Sequence, residues 1–277
     1  MGIQKHECRK RRDGALSEPS LLLDGITHVY VTDRGASLAV DDIALAVHTG
    51  EFVSLVGPSG CGKTTLLSII AGLIRPTEGT VWVAGQPGGK PSPRVGYMLQ
   101  QDYLFPWRTI LDNALLGLEL HGKAGDSRKK WILHLLDELG LLQVRDSYPH
   151  QLSGGMRQRA ALVRTLATEP DLLLLDEPFS ALDYQTRLQL EELILDILRT
   201  HRKTALLVTH DISEAIAMSD RVLVMGRNPG RIRHEIRIPD SIRKASPIEA
   251  RELPGFHSLF HEIWQELEDP DGKEGRP

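Results

Sequence analysis

Residues Glu51–Ile74 read EFVSLVGPSGCGKTTLLSIIAGLI, and this stretch decides the fold. Its opening, EFVSLVG (51–57), is the nearly continuous apolar run of a strand buried on both faces. A glycine-rich loop follows, and then KTTLLSIIAGL, an apolar helix that stops near Gly72 and Pro76. Strand, loop and helix in this order make the first half of a βαβ unit, which calls for a parallel sheet. Within it GPSGCGKT, Gly57 to Thr64, satisfies GxxxxGK[ST] in the context that the pattern requires. Gly57, Gly60 and Gly62 let backbone amides turn inward with no Cβ between them and a phosphate, and the helix N-terminus adds about half a positive charge beneath it. Pro58, Ser59, Cys61 and Thr65 complete the candidate nucleotide-binding stretch. Lys63 is expected to reach the β and γ phosphates, and the Thr64 hydroxyl to bind Mg2+. The Cys61 thiol fills a variable position of the loop and is expected to be incidental to catalysis.

Working outward, residues 21–47 alternate short apolar stretches (LLLDGITHVYV, LAVDDIALAV) with turn formers, the pattern of an antiparallel sheet. GTVWVAG (79–85) and RVGYMLQ (94–100) read as further strands. Residues 109–168 carry apolar positions three and four apart and read as helices. DLLLLDEP (171–178), TALLVTH (204–210) and RVLVMG (221–226) are strands again, separated by helices at 184–201 and 212–219. The sequence therefore predicts an α/β P-loop NTPase with a mostly parallel central sheet, an N-terminal antiparallel β subdomain and an inserted helical subdomain at about 101–168. The ATPase domain is expected over 21–240, after a disordered basic arm (1–20). A C-terminal extension (241–277) is expected to contain one helix at 255–267, with Leu259, Phe260, Ile263, Trp264 and Leu267 on one side, and then a disordered tail.

The 277 residues are 25% charged and 41% hydrophobic with a formal net charge of −4, so neither disorder nor bulk attraction to nucleic acid is indicated, and no nucleic-acid partner is expected. Cys8 and Cys61 alone support neither a disulfide scaffold nor a zinc module, which fits a reducing cytosol. Lys5, Arg9, Lys10, Arg11 and Arg12 are not followed by a signal-peptide core. LLSIIAGLI (66–74) is too short to span a bilayer. Any membrane role must run through a partner.

Three residues at strand ends complete a catalytic set. Asp176 closes an apolar strand, where a carboxylate can hold Mg2+ at the sheet edge. Glu177 projects differently and is the candidate general base for the attacking water. His210 closes the next strand and falls at the same edge. A second glycine motif, QLSGGM (151–156), opens a later helix. Ser153, Gly154 and Gly155 are open to two readings: an N-cap with room for close packing, or an anion site of free amides at a helix N-terminus. If that site faces the triphosphate, a second copy of the chain is the simplest way to supply it, because a two-fold dimer repeats the contact reciprocally.

The ordered set GPSGCGKT, Gln100, LSGGM, LLLLDEP, SALD and TH, spread over about residues 21–237, resembles the nucleotide-binding subunits of ABC transporters. The resemblance implies an ABC-type ATPase binding ATP and Mg2+. It implies that Ser153 and Gly155 act in trans on the γ phosphate of the other subunit, with Gly154 between them. Tyr30 would stack on adenine, Gln100 would contact Mg2+ and the water, Asp183 would line the dimer interface, and His210 would bond the γ phosphate. QQDYLFPWRTILDNALLGLEL, VTHDISEAIAMSDRVLVM and NPGRI are similar to bacterial importers of nitrate, aliphatic sulfonates, taurine or bicarbonate. Expected partners are a second copy, transmembrane permease subunits and, indirectly, a substrate-binding protein, which places the chain at the cytoplasmic face of the inner membrane. Tyr103, Phe105 and Trp107 are candidates for the groove that meets the permease. A soluble non-transport ABC ATPase is the alternative, and a P-loop kinase would leave LSGGM and His210 without purpose.

Overall fold

In the computed structural model, residues 19–33, 35–122 and 125–268 are described. The expected basic arm falls on 1–18 and most of the expected tail on 269–277, both outside the described residues. Pro19 and Ser20, assigned to the arm from sequence, already belong to the first strand.

Strands β1 (Pro19–Thr32) and β2 (Gly35–His48) form a long antiparallel hairpin with several bulges. With β4 (Glu78–Val83) and β5 (Gln86–Pro87) they make a four-stranded sheet ordered β2-β1-β4-β5. The second sheet contains β3 (Phe52–Val56), β6 (Val95–Met98), β7 (Leu172–Asp176), β8 (Thr204–Thr209), β9 (Arg221–Met225) and β10 (Ile232–Arg237), ordered β10-β9-β3-β8-β7-β6. Its pairs are parallel except β10 with β9. Every residue of β3, β7, β8 and β9 is buried, as their unbroken apolar runs require.

Helices α1 (Lys63–Ile70), α2 (Ile110–Leu120), α3 (Asp126–Glu138), α4 (Gly154–Leu166), α5 (Tyr184–Thr200) and α6 (Ile212–Met218) follow the strands in order. Strand β7 shows how the layers share one sheet. Leu173 and Leu175 join the core of α2, α3, α4 and α5. Leu172 and Leu174 face the other way, into the core that α1 and the antiparallel sheet complete. The two-residue period of a strand sends alternate side chains into different layers.

β10 was not expected, because IRHEIR is polar at most positions and only Ile236 is buried, as on a sheet edge. The extension is also more structured than its weak sequence signals imply: α7 (Asp240–Arg243), α8 (Pro247–Glu252) and α9 (Phe256–Glu268) continue the domain. Ile242, Ala250, Phe256 and Ile263 share a core with α6 and β9. On α9, Leu259, Phe260 and Leu267 pack against that core while Trp264 stays 46% exposed.

Candidate functional site

The parallel strands β3, β7 and β8 end at one edge of the sheet, and the loops that leave them carry the expected chemistry. After β3 the chain turns through Gly60 (φ 77°) and Gly62 (φ 96°), both left-handed. At Gly62 a Cβ would lie 2.6 Å from Val40 Cγ1 and 2.9 Å from the Ala39 carbonyl, so this turn admits only glycine. Gly57 is excluded from growing for a different reason: its Cβ would meet Cys61 Sγ at 2.7 Å. Lys63 Nζ donates to the carbonyls of Gly57 (2.7 Å) and Pro58 (3.1 Å), which curls the side chain back along its own loop. Cys61 is turned inward and buried, and burial raises its thiol pKa. Only its backbone is left for a ligand, and that amide donates to the Pro58 carbonyl.

A cleft of about 570 Å³ opens over this loop. Ser59, Gly60, Gly62, Lys63, Thr64 and Thr65 form its floor, with Glu177 and His210 on one side and Tyr30 on another. Tyr30 is 40% exposed, its hydroxyl lies 3.3 Å from Thr65 Oγ1, and its ring meets His28 edge-on at 4.6 Å. Asn228, the first residue of NPGRI in the turn after β9, also lines the cleft, a place that the motif's resemblance did not assign.

Asp176 is the buried last residue of β7. Burial pushes its pKa up, while the Tyr97 hydroxyl, donating to Oδ2 at 3.2 Å, pulls it down. Burial raises the Tyr97 pKa, and the same pairing with Asp176 adds to it. Tyr97 on β6 was missed from sequence because nothing in RVGYMLQ distinguishes it from a core aromatic. Glu177 adopts a left-handed φ of 46°. Its Oε2 lies 3.1 Å from His210 Nδ1 and accepts from Gln100 Nε2 at 3.4 Å. Ser180 steadies the turn: its hydroxyl donates to the Glu177 carbonyl at 3.0 Å and accepts from Gln100 Nε2 at 3.3 Å. Residues 77 apart in sequence, and in the case of His210 from a third strand, thus meet at one carboxylate.

The second glycine motif lies elsewhere. Ser153 caps α4, accepting from the Met156 amide at 3.3 Å, and neither it nor Gly154 or Gly155 lines the cleft over the phosphate loop of its own chain. The two glycines have different surroundings. Gly155 is buried, with a Cβ position 2.5 Å from Thr186 Cγ2, whereas at Gly154 a Cβ would find nothing nearer than Arg157 Nη2 at 4.0 Å. Close packing therefore accounts for Gly155 and leaves Gly154 unexplained. Asp183, away from the same cleft, caps α5 through the Thr186 amide at 3.0 Å, and that bond holds its carboxyl below the usual range. Helix α4 also grips the loop after Gln100: Gln158 donates to the Gln100 carbonyl, and Arg164 to those of Asp102 and Tyr103. Beside it Tyr103 and Trp107 are 58% and 71% exposed, with the Trp107 ring 5.1 Å from Phe105.

This sequence matches the family described as ABC transporter over residues 40–180. It is 53% identical over 247 residues to the uncharacterized ABC transporter ATP-binding protein YtlC of Bacillus subtilis (strain 168), covering 89% of this chain and 95% of that one. Over 258 residues it is 46% identical to the aliphatic sulfonates import ATP-binding protein SsuB 2 of Burkholderia lata, covering 92% and 90%. Among solved structures, the dimeric post-hydrolysis state of the ATP-binding cassette MJ0796 bound to ADP and Pi is similar with a TM-score of 0.70 and 32% identity, covering 79% of this chain and 99% of that one. On both sequence and fold, the chain belongs to the ATP-binding proteins of ABC transporters, cassettes that bind and hydrolyse ATP.

Proposed function

We propose that two copies of this chain close around two ATP and drive the permease of a bacterial importer for a small anion such as nitrate, a sulfonate or taurine. The observation that carries the dimer is the position of Ser153–Gly155: a capped helix N-terminus with Ser153 and Gly154 exposed, outside the cleft of its own chain. Free amides and the helix dipole suit that end to a phosphate supplied by a second copy, and the similar cassette MJ0796 is dimeric.

In this reading Lys63 Nζ exchanges the Gly57 and Pro58 carbonyls for β- and γ-phosphate oxygens, with Ser59, Gly60 and Gly62 contributing backbone amides and Cys61 turning its amide from the Pro58 carbonyl to phosphate. Tyr30 stacks on adenine. Glu177 orients a water and accepts its proton as the oxygen attacks the γ phosphorus and the bond to the β-phosphate oxygen breaks. His210 holds the γ phosphate, and its contact with Glu177 keeps the two groups in one geometry. Asp183 lines the interface with the second copy. For Mg2+ the donors are oxygens: the Thr64 hydroxyl, the Gln100 amide oxygen and Asp176. One carboxylate with neutral oxygens and phosphates is the set that this ion takes, and no cluster of three or more His, Cys, Asp or Glu is found among the described residues. When bound, the ion neutralises charge on the β- and γ-phosphate oxygens.

No helix of the described residues is long and apolar enough to cross a membrane. The crossing then belongs to permease subunits, met by the aromatic surface at Tyr103, Phe105 and Trp107, with the cassette at the cytoplasmic face and a binding protein reading the substrate. The importer assignment rests on relatives named for aliphatic sulfonate import. The test is Glu177→Gln with and without the co-expressed permease. ATP binding is expected to persist, turnover to stop, and an ATP-dependent dimer to accumulate; a monomer with normal turnover overturns both roles. Uptake of sulfonates, nitrate and taurine in a deletion strain decides the substrate.

A further inference from the structure

A cavity of about 670 Å³ lies at the opposite edge of the six-stranded sheet, where the parallel strands begin rather than end. Phe52, at the start of β3, lines it together with Leu195 and Leu198 from the last turns of α5 and Met218 from the end of α6. These form an apolar wall. Apart from Thr49 and Gly50, the rest of the lining is charged: Arg199, Arg202, Lys203, Arg243 and Lys244, against the carboxylate of Asp220. Arg243 is already paired with Asp220 at 2.7 Å and with Asp240 at 3.1 Å, and Lys244 with Asp240 at 2.8 Å. Arg199, Arg202 and Lys203 make no ion pair among the described residues; Arg199 donates to the Arg243 carbonyl, Lys203 to that of Pro170. With Asp240 beside Arg243 and Lys244, and Asp171 acting on Lys203, five cations meet three carboxylates and leave an excess of two positive charges around this opening, in a chain whose formal net charge is −4.

We propose that this cavity binds a small amphiphilic anion, a chain of about six carbons ending in a sulfonate or carboxylate, with the chain on the Phe52–Leu195–Leu198–Met218 wall and the head group on Arg202 and its cationic neighbours. Its volume falls in the range of small-molecule sites, and its lining divides into apolar and cationic residues as an amphiphilic anion divides into chain and head group. Guanidinium forks suit oxyanion head groups. Burial lowers the Lys203 pKa, a cost that an anion at the rim relieves. Leu195, Leu198 and Arg199 of α5, Met218 of α6 and Arg243 of α7 bring three helices to one opening, away from the nucleotide edge.

Titration calorimetry of the full chain with sodium 1-hexanesulfonate tests the site, beside sodium hexanoate, sodium sulfate and 1-hexanol. One saturating hexanesulfonate per chain is expected, bound at least about tenfold more tightly than sulfate, because methylenes leave water, and than hexanol, which carries no charge. Hexanoate is expected to follow hexanesulfonate within about tenfold, since it carries the same charge and an alkyl chain one carbon shorter. Arg202→Glu, at an exposed position outside the nucleotide site, should weaken hexanesulfonate at least about tenfold and leave basal ATPase activity unchanged. Saturating ATP should leave the affinity unaltered. Equal binding of sulfate or hexanol, no binding of hexanesulfonate, an unaffected Arg202→Glu variant, or displacement by ATP overturns the proposal.

Discussion

Ser153 joins two chemistries that one substitution can separate. Its hydroxyl caps α4, so Ser153→Ala removes about 1 kcal/mol of helix stability whatever else the residue does. Ser153→Asp keeps an equally good cap and sets a negative charge where a phosphate is proposed to sit. Thermal unfolding of the Asp variant is expected to match wild type, while the ATP-dependent dimer, followed by sedimentation with Glu177→Gln in the background, is lost. A dimer that persists would leave the serine as a cap alone. Buried beside the His210 turn, Glu214 accepts from Thr209 Oγ1 at 2.6 Å and lies 3.4 Å from Arg187 Nη1. Burial pushes its pKa up to about 7 from the ordinary 4.5. A carboxyl that holds its proton more tightly when folded stabilises the fold most below about pH 4.5, and that contribution drains away as pH rises to about 7. Urea unfolding of Glu214→Gln from pH 5 to 8 is expected to show a flatter fall in stability than wild type across pH 5–7; parallel curves would refute the assignment.

Helix α4 shows which parts of an element a sequence discloses. LSGGM announces a helix start, and Ser153 does cap it, but the reason for the second glycine is a methyl group on α5, 31 positions away, that no local pattern contains. The two glycines should therefore answer differently to alanine. Gly155→Ala drives a Cβ to 2.5 Å from Thr186 Cγ2 and is expected to cost about 1–3 kcal/mol in chemical unfolding. Gly154→Ala meets open space and is expected to hold or raise stability by up to about 1 kcal/mol, yet to weaken ATP-driven dimerisation by standing between amide and phosphate. Strands β3, β7, β8 and β9 were legible because burial on both faces writes an unbroken apolar run. β10 was not, since an edge strand with one buried side chain needs no such run. At the site the loop lysine, the DE pair and the strand-end histidine were legible as motif residues. Tyr97 was not, because it matters only through the Asp176 carboxylate that the fold delivers; Ser180 and Asn228 fall inside SALD and NPGRI, but neither motif disclosed that Ser180 meets Glu177 or that Asn228 lines the cleft.

At the scale of the molecule one guanidinium is among the groups that tie the two sheets together, beside the Thr204–Ser20 hydroxyl pair and the bridge of Val40 with Gly230. Arg221, mostly buried, donates to Glu51 at 2.7 Å and Glu235 at 2.9 Å and also to the Ala46 carbonyl, and so links β9 and β10 to β2. Arg221→Ala would strand the Glu51 carboxylate in partly buried surroundings. A loss of roughly 3 kcal/mol in urea unfolding is expected, more than an exposed pair contributes. The C-terminal residues have a part in this architecture as well. Ile242, Ala250, Phe256 and Ile263 close over Ile212, Ala215 and Ile216 of α6, the helix whose N-cap, Asp211, directly follows His210. Residues 240–268 are in effect a splint strapped behind the histidine-bearing turn. A protein shortened there would keep each of its motifs intact and still let that turn work loose.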